Sequence, residues 1–318
     1  MNKLLLIKNA ELFQGEKYLK KKNYFEGWYF KNTNFQNGIA FIPGINIDNS
    51  ETKAFIQIIT NNMSYFVDYD IKDFKFNHSP FYIQIGNNTF SKENININII
   101  DKNQNLKISG NLKYSNNKKI NTNIFAPNIM GPFSYIPFME CNHAIISMKN
   151  TINGCININN EIIQFNNDNG YIEKDWGCSF PKSYIWCQCN HFQKSNASFM
   201  FSIADIPFQL FHFKGLICVL LINDKELKFT TYNNAKIVQC DIKNNSLNIV
   251  LKKGNYILNI ESTFNKGLKL SAPVQGKMIK DIFESISTIV TITLKHNQEI
   301  IFHDTSTMCG LEIVQNNK

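Results

Sequence analysis

Several common functional signatures are missing from this chain. It has no G-x-S-x-G nucleophile elbow, no P-loop and no G-x-G-x-x-G fingerprint. These absences argue against a serine hydrolase and against a nucleotide-dependent enzyme. Haem and zinc ligand patterns are missing as well, so we predict no cofactor and no metal ion. The 318 residues carry a net charge of +8 without a basic stripe or a nucleic-acid motif, and we therefore expect no nucleic-acid partner.

Cysteine spacing and long apolar runs are equally uninformative. The eight cysteines follow no regular framework, and Cys187 and Cys189 stand too close together for the usual zinc spacing, so we interpret all eight as free thiols. The N-terminal run Met1 to Ile7 is too short for a signal-peptide core or a membrane span. We therefore expect a cytoplasmic protein, and its positive charge, with a cluster at Lys20 to Lys22, is compatible with peripheral contact with membrane lipid. The oligomeric state cannot be inferred.

What the chain does contain is material for strands. Hydrophobic residues make up 43% of it and aromatic residues 13%, which excludes a disordered chain. Short β-branched or aromatic segments such as Tyr65 to Phe76, Phe81 to Ile85 and Leu106 to Tyr114 are separated by Asn, Asp, Gly and Lys turns. This pattern predicts an all-β protein of two antiparallel β-barrels or curved sheets, with a single large sandwich as the alternative. One short helix is predicted over Lys277 to Ser287.

A polar turn near the midpoint suggests the domain organisation. Residues 166–170 interrupt the strand pattern, although no low-complexity linker divides the chain. We predict an N-terminal β-barrel domain over residues 1–168 and a C-terminal β-barrel domain over residues 169–318.

The stretch from Gly170 to Phe192 concentrates carboxylates, a lysine and two tryptophans around a Gly/Pro turn. If it is extended, Glu173 and Asp175 share one face of the strand, while Lys174 and Trp176 lie on the other. Further along, an aromatic and amide face alternates with a mainly apolar and thiol face; the first comprises Tyr184, Trp186, Gln188 and Asn190, and the second Ile185, Cys187, Cys189 and His191. Such a mixture favours a concave site for a large apolar molecule.

Two other stretches place acids beside apolar residues. Near the start, Glu26 is flanked by aromatic residues that include Trp28 and Tyr29. Before the midpoint, a proline-containing loop leads into a predicted strand with Glu140, Asn142 and His143. Each polar group alone could be a satisfied group in a core. Three such stretches in one chain favour a pocket.

These stretches resemble the tocopherol cyclase family, in the same order along the chain. The matching segments are FEGWYFK, MGPFSYIPFMECNHAIISM, GYIEKDWGCSFPKSYIWCQCNHF, FHFKGLICVLLINDKELKFTTYNNAKI and DTSTMCGLEI. More distantly the chain is similar to the carotenoid hydratases, whose fold is a pair of lipocalin-like β-barrels. The resemblance implies a cofactor-free intramolecular cyclase that closes a chromanol ring on a prenylated quinol.

That chemistry needs a proton donor in a dry site, because protonation of a trisubstituted alkene gives a tertiary cation that the phenol oxygen then captures. A buried carboxylic acid suits this task, since burial disfavours its charged form. We expect Asp175 to be the donor and Glu173 to share its proton or orient it. Tryptophan rings would stabilise the cation. The candidate catalytic residues are Asp175, Glu173, Glu26, His143 and His191, and the candidate substrate-binding residues are Trp28, Tyr29, Glu140, Asn142, Trp176, Trp186, Gln188 and Asn190.

Two other functions stay open at this stage. A hydratase of a prenyl or carotenoid-like lipid would protonate the alkene in the same way and let water attack. A lipocalin-like carrier of a hydrophobic molecule would use the same aromatic cavity without any proton donor. Only the carrier should tolerate the replacement Asp175→Asn.

Overall fold

The protein is built from strands. The computed structural model describes residues 11–15, 23–48, 51–136, 139–208 and 211–315. Within these ranges there are 21 strands, three short 3-10 turns and no α-helix, so the predicted all-β class is confirmed. No helix in the described ranges has the length and apolar character needed to cross a membrane. The predicted features at Met1 to Ile7 and Lys20 to Lys22 lie outside the described residues.

Eleven strands form the first sheet, a nearly closed barrel. Their spatial order in the sheet is β4-β3-β2-β1-β11-β10-β9-β8-β7-β6-β5. Strand β11 therefore lies between β1 and β10 and pairs with both. Each pair of neighbouring strands in this sheet is antiparallel. The strands are β1 (Tyr24–Thr33), β2 (Gly38–Ile47), β3 (Thr52–Thr60), β4 (Ser64–Asp70), β5 (Phe74–His78), β6 (Phe81–Ile85), β7 (Asn88–Ser91), β8 (Asn94–Asp101), β9 (Leu106–Lys118), β10 (Cys141–Ile158) and β11 (Glu161–Gly177).

The core of this sheet follows from period-two alternation. In β8 the side chains of Ile95, Ile97 and Ile99 are buried, while the asparagines between them are exposed. Burying an isoleucine contributes about 1.5–3 kcal/mol. A shift of one residue would expose all three isoleucines, so the pattern determines which face of the strand turns inward.

Ten strands form the second sheet. Its main path is β15-β14-β13-β12-β21-β20-β18-β17-β16, and β19 pairs with β20 beside this path. Its buried core contains isoleucines, leucines, phenylalanines and several cysteines. The strands are β12 (Tyr184–Cys189), β13 (Ala197–Phe208), β14 (Phe211–Ile222), β15 (Lys225–Lys228), β16 (Lys236–Lys243), β17 (Ser246–Lys253), β18 (Tyr256–Thr263), β19 (Leu268–Val274), β20 (Lys277–His296) and β21 (Glu299–Val314).

The chain divides into two compact units. The first contains residues 1–180 and 270–281, and the second contains residues 181–269 and 282–318. Residues 270–281, which follow most of the second unit's strands in sequence, thus belong to the first unit. The domain boundary that the sequence suggests between residues 168 and 169 falls inside strand β11, and that division stays a prediction.

The predicted helix over Lys277 to Ser287 is wrong. These residues begin strand β20, in which Ile282, Glu284 and Ile286 are buried at every second position. The apolar residues of this segment fit both a helical and a strand period. The β-branched run that continues β20 past Ser287 favours the extended form.

The interpretation of all eight cysteines as free thiols is also wrong. A disulfide joins Cys189 to Cys309, whose Cα atoms are 4.5 Å apart. Gln188 of β12 pairs with Gly310 of β21, so the antiparallel register places the two cysteines opposite each other. They are separated by 120 residues in sequence, and no spacing rule could have identified the pair.

The segment Tyr65 to Phe76 forms two strands instead of one. Strand β4 ends at Asp70, whose side chain accepts a hydrogen bond from the backbone N–H of Lys72. This bond caps a 3-10 turn over Ile71–Asp73, after which β5 begins. An aspartate that bonds to the backbone two residues later is a common way to end an extended segment.

Candidate functional site

Strand β11 positions the candidate acids between its two neighbours. Its Asp175 is opposite Gly27 of β1 on one side and His143 of β10 on the other. Directly opposite residues on antiparallel strands project to the same face. Since Gly27 has no side chain, the side chain directly opposite Asp175 is that of His143.

Glu173 lies two residues earlier on the same face. Its cross-strand neighbours are Tyr29 of β1 and Ile145 of β10. Tyr171, a further two residues earlier, donates a hydrogen bond from its hydroxyl to Glu173 Oε2 at 2.6 Å. The predicted sharing of one face by Glu173 and Asp175 is therefore present in the structure, and Tyr29 lies beside them.

His143 connects the two carboxylates. Its Nδ1 is 2.9 Å from Asp175 Oδ1, and its Nε2 is 3.3 Å from Glu173 Oε2. The exposed fraction of the side chain is 13% for His143, 5% for Glu173 and 21% for Asp175. Of the three, Asp175 is therefore the most accessible to a molecule outside the cluster. We call these three residues and Tyr171 the acid cluster.

The two carboxylates determine the charge of His143. Burial lowers the pKa of the imidazole, but Asp175 and Glu173 outweigh it and raise the pKa to about 9. His143 is therefore an imidazolium at neutral pH, a state in which it donates protons and cannot accept one. Burial, reinforced by Glu173, raises the pKa of Tyr171 well above its usual value, so its hydroxyl stays neutral and can donate to the carboxylate.

The other face of β11 carries a second ionic group. Lys174 Nζ lies 2.5 Å from Glu26 Oε1 and donates to the carbonyl oxygen of Leu12 at 2.6 Å. Both charged side chains are fully buried. Glu26 also accepts hydrogen bonds from the Tyr24 hydroxyl and from the backbone N–H of Gln14. Glu26 thus has several donors and belongs to the interior of the first unit, away from Asp175.

Two of the three tryptophans accompany this buried pair. The ammonium of Lys174 lies 5.3 Å from the ring centroid of Trp28 and 4.6 Å from that of Trp176. Both rings belong to the buried core of the first unit, on the face of β11 opposite to Asp175. The cation that they contact is that of Lys174. Burial lowers the pKa of Lys174, while Glu26 acts in the opposite direction.

The remaining candidates of the first unit lie at the ends of β10 and β11. The side-chain amide of Asn142 donates to the carbonyl oxygen of Trp176. The backbone carbonyl of Glu140 accepts hydrogen bonds from the N–H groups of Cys178 and Ser179. At Gly177 a Cβ atom would come within 2.0 Å of that same carbonyl oxygen, so the close approach requires glycine. The structure thus places these groups in the framework around the end of β11.

The second unit contains the other predicted binding residues. Gln188 and Asn190 are joined by a 2.6 Å hydrogen bond between their amides, and Ser198 also donates to Asn190. Trp186 is buried against Gly310, where a Cβ atom would lie 2.7 Å from the indole ring. His191 is buried too.

Sequence reasoning missed three polar residues that lie beside the predicted ones. Tyr171 lies in the same motif as Glu173, and its hydrogen bond to that acid follows from period-two spacing. In the second unit, Glu312 is opposite Trp186 and accepts a hydrogen bond from the Tyr184 hydroxyl at 2.6 Å. Glu284 is opposite Glu312 in the adjoining strand. No local pattern marked Glu284, because its segment fits a helical period.

The acid cluster also has the composition of a metal site. The ligand atoms of His143, Glu173 and Asp175 all lie within 4.8 Å of one another. One imidazole nitrogen and two carboxylates could hold a divalent cation. Because the pKa of His143 is about 9, such an ion would first have to displace a proton at neutral pH.

Known sequences match a large part of the chain. Residues 114–314 match the family described as tocopherol cyclase-like. Two curated proteins are each 36% identical to this chain over 62 residues. They are a probable chloroplastic tocopherol cyclase from Oryza sativa subsp. japonica and a chloroplastic tocopherol cyclase from Zea mays. Each alignment covers 20% of this chain, and the chain spans 13% of the length of these curated relatives.

Solved structures share the fold along nearly the whole chain. An AttH-like protein from Nitrosomonas europaea has a TM-score of 0.52 at 11% identity and covers 96% of this chain and 97% of its own. Kievitone hydratase from Nectria haematococca has a TM-score of 0.53 at 11% identity, and CghA with bound Sch210972 has 0.57 at 7% identity. Each of these two matches covers 93% of this chain and 90% of the other. The shared fold is lipocalin-like.

Proposed function

The chain belongs to the tocopherol cyclase-like family, and we propose that it is a cofactor-free enzyme that protonates a prenyl alkene and closes a chromanol ring. The family likeness that the sequence motifs indicate is confirmed. The observation that carries the proposal is the acid cluster, in which a partly exposed carboxyl group adjoins a buried imidazolium. The substrate class is a prenylated quinol or a similar apolar phenol.

Asp175 is the proton donor in this proposal. When Glu173 is ionised and His143 is protonated, their charges balance, and a neutral Asp175 carboxyl leaves the buried cluster without net charge. The proposed reaction requires this protonation state when the substrate occupies the site. Asp175 is also the most exposed of the three side chains, so its proton can reach a substrate.

His143 makes it easier for Asp175 to give up its proton. Once Asp175 gives its proton to the alkene, its carboxylate lies 2.9 Å from the imidazolium nitrogen and is stabilised by it. Glu173 Oε2 lies within ion-pair distance of the other ring nitrogen, and the Tyr171 hydroxyl donates a hydrogen bond to Glu173. Glu173 and Tyr171 are therefore positioning residues, and a general-base role for His143 is disfavoured by its raised pKa.

The proposed cycle is balanced in protons. The Asp175 proton forms a new C–H bond at the less substituted alkene carbon and leaves a tertiary cation. The phenol oxygen attacks this cation to form the C–O bond of the ring, and the phenol proton returns to the Asp175 carboxylate. No oxidant or reductant is consumed, and substrate and product have the same mass.

Heavy water gives the decisive test. We expect purified protein, incubated in heavy water with a prenylated hydroquinone, to release a chromanol with one new carbon-bound deuterium, detected by chromatography and mass spectrometry. A product with one added water would assign the chain to the hydratases, and quinol binding without turnover would assign it to the carriers.

We also expect EDTA to leave turnover unchanged. Loss of turnover that a divalent cation restores would instead identify the cluster as a metal site.

A further inference from the structure

Two neighbouring apolar residues protrude from the first unit. Phe125 and Ile124 are 78% and 67% exposed, the highest values among the large hydrophobic side chains that the structure describes. They belong to residues 119–127, the loop that follows β9, here called the 119–127 loop. Single exposed apolar residues are common on protein surfaces, but an adjacent pair at one loop is a candidate interaction site.

The 119–127 loop holds this pair outward with its own hydrogen bonds. The side-chain oxygen of Asn123 accepts bonds from the N–H groups of Phe125 and Ala126, each at 2.9 Å. The N–H of Asn123 donates to the Ala126 carbonyl, and the Tyr135 hydroxyl donates to the Ile124 carbonyl. The N–H groups of Asn123, Phe125 and Ala126 and the carbonyl groups of Ile124 and Ala126 therefore have partners within the protein. Such a tip can enter a medium with little water without leaving these groups unpaired.

The charged residues of the surrounding sequence are all basic. Residues 102–139 contain five lysines and neither aspartate nor glutamate. Lys113 and Lys118 are exposed, and Lys149 is opposite Lys118 in the next strand. Lys119 shares the carboxylate of Glu11 with Lys92, so that one acid meets two lysines. The loop with the exposed apolar pair thus directly follows a strand whose charged residues are all lysines.

We propose that the 119–127 loop docks the protein on an anionic lipid membrane. Ile124 and Phe125 would enter the boundary between headgroups and acyl chains, while the nearby lysines lie against lipid phosphates. An apolar anchor with flanking basic residues supplies two binding signals, which stable membrane anchoring needs. The inference does not depend on which reaction the protein catalyses, because its test measures binding alone.

Vesicle sedimentation of the full chain tests the anchor. The wild type should bind phosphatidylserine-containing vesicles more tightly than pure phosphatidylcholine vesicles. The double variant Ile124→Ser/Phe125→Ser should lose at least about tenfold in binding, because both apolar side chains leave the lipid. Phe35→Ser is the matched control, since Phe35 is 64% exposed in another loop and should change binding by less than about twofold.

The charges are tested separately. Lys113→Gln/Lys118→Gln should weaken binding to anionic vesicles several-fold, and added salt should remove the difference from wild type. Lys243→Gln, at an exposed lysine of the second unit, is the control. Circular dichroism and thermal unfolding should show that all variants remain folded.

Three outcomes would overturn the proposal. The first is equal binding of the wild type to both vesicle types, and the second is unchanged binding of the Ile124→Ser/Phe125→Ser variant. The third is the second outcome combined with a loss of self-association: the Ile124→Ser/Phe125→Ser variant binds vesicles normally but no longer self-associates in analytical ultracentrifugation. That last result would assign the exposed pair to an interface between copies of this chain.

Discussion

The two faces of strand β11 carry two buried ionic groups that differ in kind. On one face Lys174 and Glu26 form a fully buried pair of opposite charges between two indole rings. On the other face two carboxylates share one histidine, and Asp175 remains 21% exposed. One strand thus separates a balanced pair from a cluster with an excess of acid.

This difference distinguishes a structural group from a chemical one. In the Lys174 and Glu26 pair the charges cancel, and the additional donors on Glu26 stabilise a single arrangement. In the acid cluster two carboxylates flank a single histidine, and they raise the pKa of His143 to about 9. Only the second arrangement is suited to releasing and recovering a proton.

Removal of the proposed donor should give the largest effect. Asp175→Asn keeps the shape of the side chain but removes the acidic proton, so we expect turnover to fall by about 10²–10⁴-fold while quinol affinity stays within a few-fold. Turnover and ligand binding should be measured on the same preparation. Asp168→Asn, the same replacement elsewhere on β11, is the control. Turnover retained by Asp175→Asn would remove the distinction between the two faces.

Breaking the balanced pair should instead reduce stability. Lys174→Met leaves the Glu26 carboxylate buried without its cation, and we expect the free energy of unfolding to fall by about 3–5 kcal/mol. Chemical denaturation would measure this loss. The double variant Lys174→Met/Glu26→Gln should recover part of it, because no buried charge remains uncompensated. If the single variant were as stable as wild type but inactive, the pair would belong to the chemistry.

The acid cluster should also make stability depend on pH. The pKa of His143 is about 9 in the folded protein, against a usual value of 6.5. This raised pKa stabilises the fold fully below pH 6.5, and the contribution is lost as the pH rises through about 9. Its size is about 3 kcal/mol. Denaturation between pH 6 and pH 10 should show this loss in the wild type.

The matched variants identify the histidine responsible. His143→Gln should be less stable than wild type at pH 6 and should lose most of the dependence above pH 6.5. His303→Gln, at an exposed histidine, should keep the wild-type profile. A wild-type profile in His143→Gln would mean that the imidazole is not protonated between the two carboxylates.

The alternation of side chains in the sequence was sufficient to predict the faces of a strand where the period of two residues was clear. The alternation in residues 171–177 predicted which acids share a face and placed Lys174 and Trp176 on the other. It did not predict the partner of each acid. In the structure Lys174 pairs with Glu26, which β1 brings to the same face.

Helical and extended patterns were not separable everywhere. In the segment that begins β20, apolar residues fit both periods, and only the β-branched run after Ser287 favours the extended form. Glu284 was hidden for that reason. The disulfide was hidden because its two cysteines are 120 residues apart and meet only through the register of β12 and β21.

The all-β class, the family and the faces of β11 follow from the amino-acid sequence, because side-chain alternation and motif order are local properties. Tertiary structure decided that His143 lies beside Asp175 and Glu173. Strand β10 has register shifts after Ile145 and again near Ser147, so its alternation cannot be followed along its length from sequence. The acid cluster exists because β10 pairs with β11 in one particular register, and a register is a property of the whole sheet.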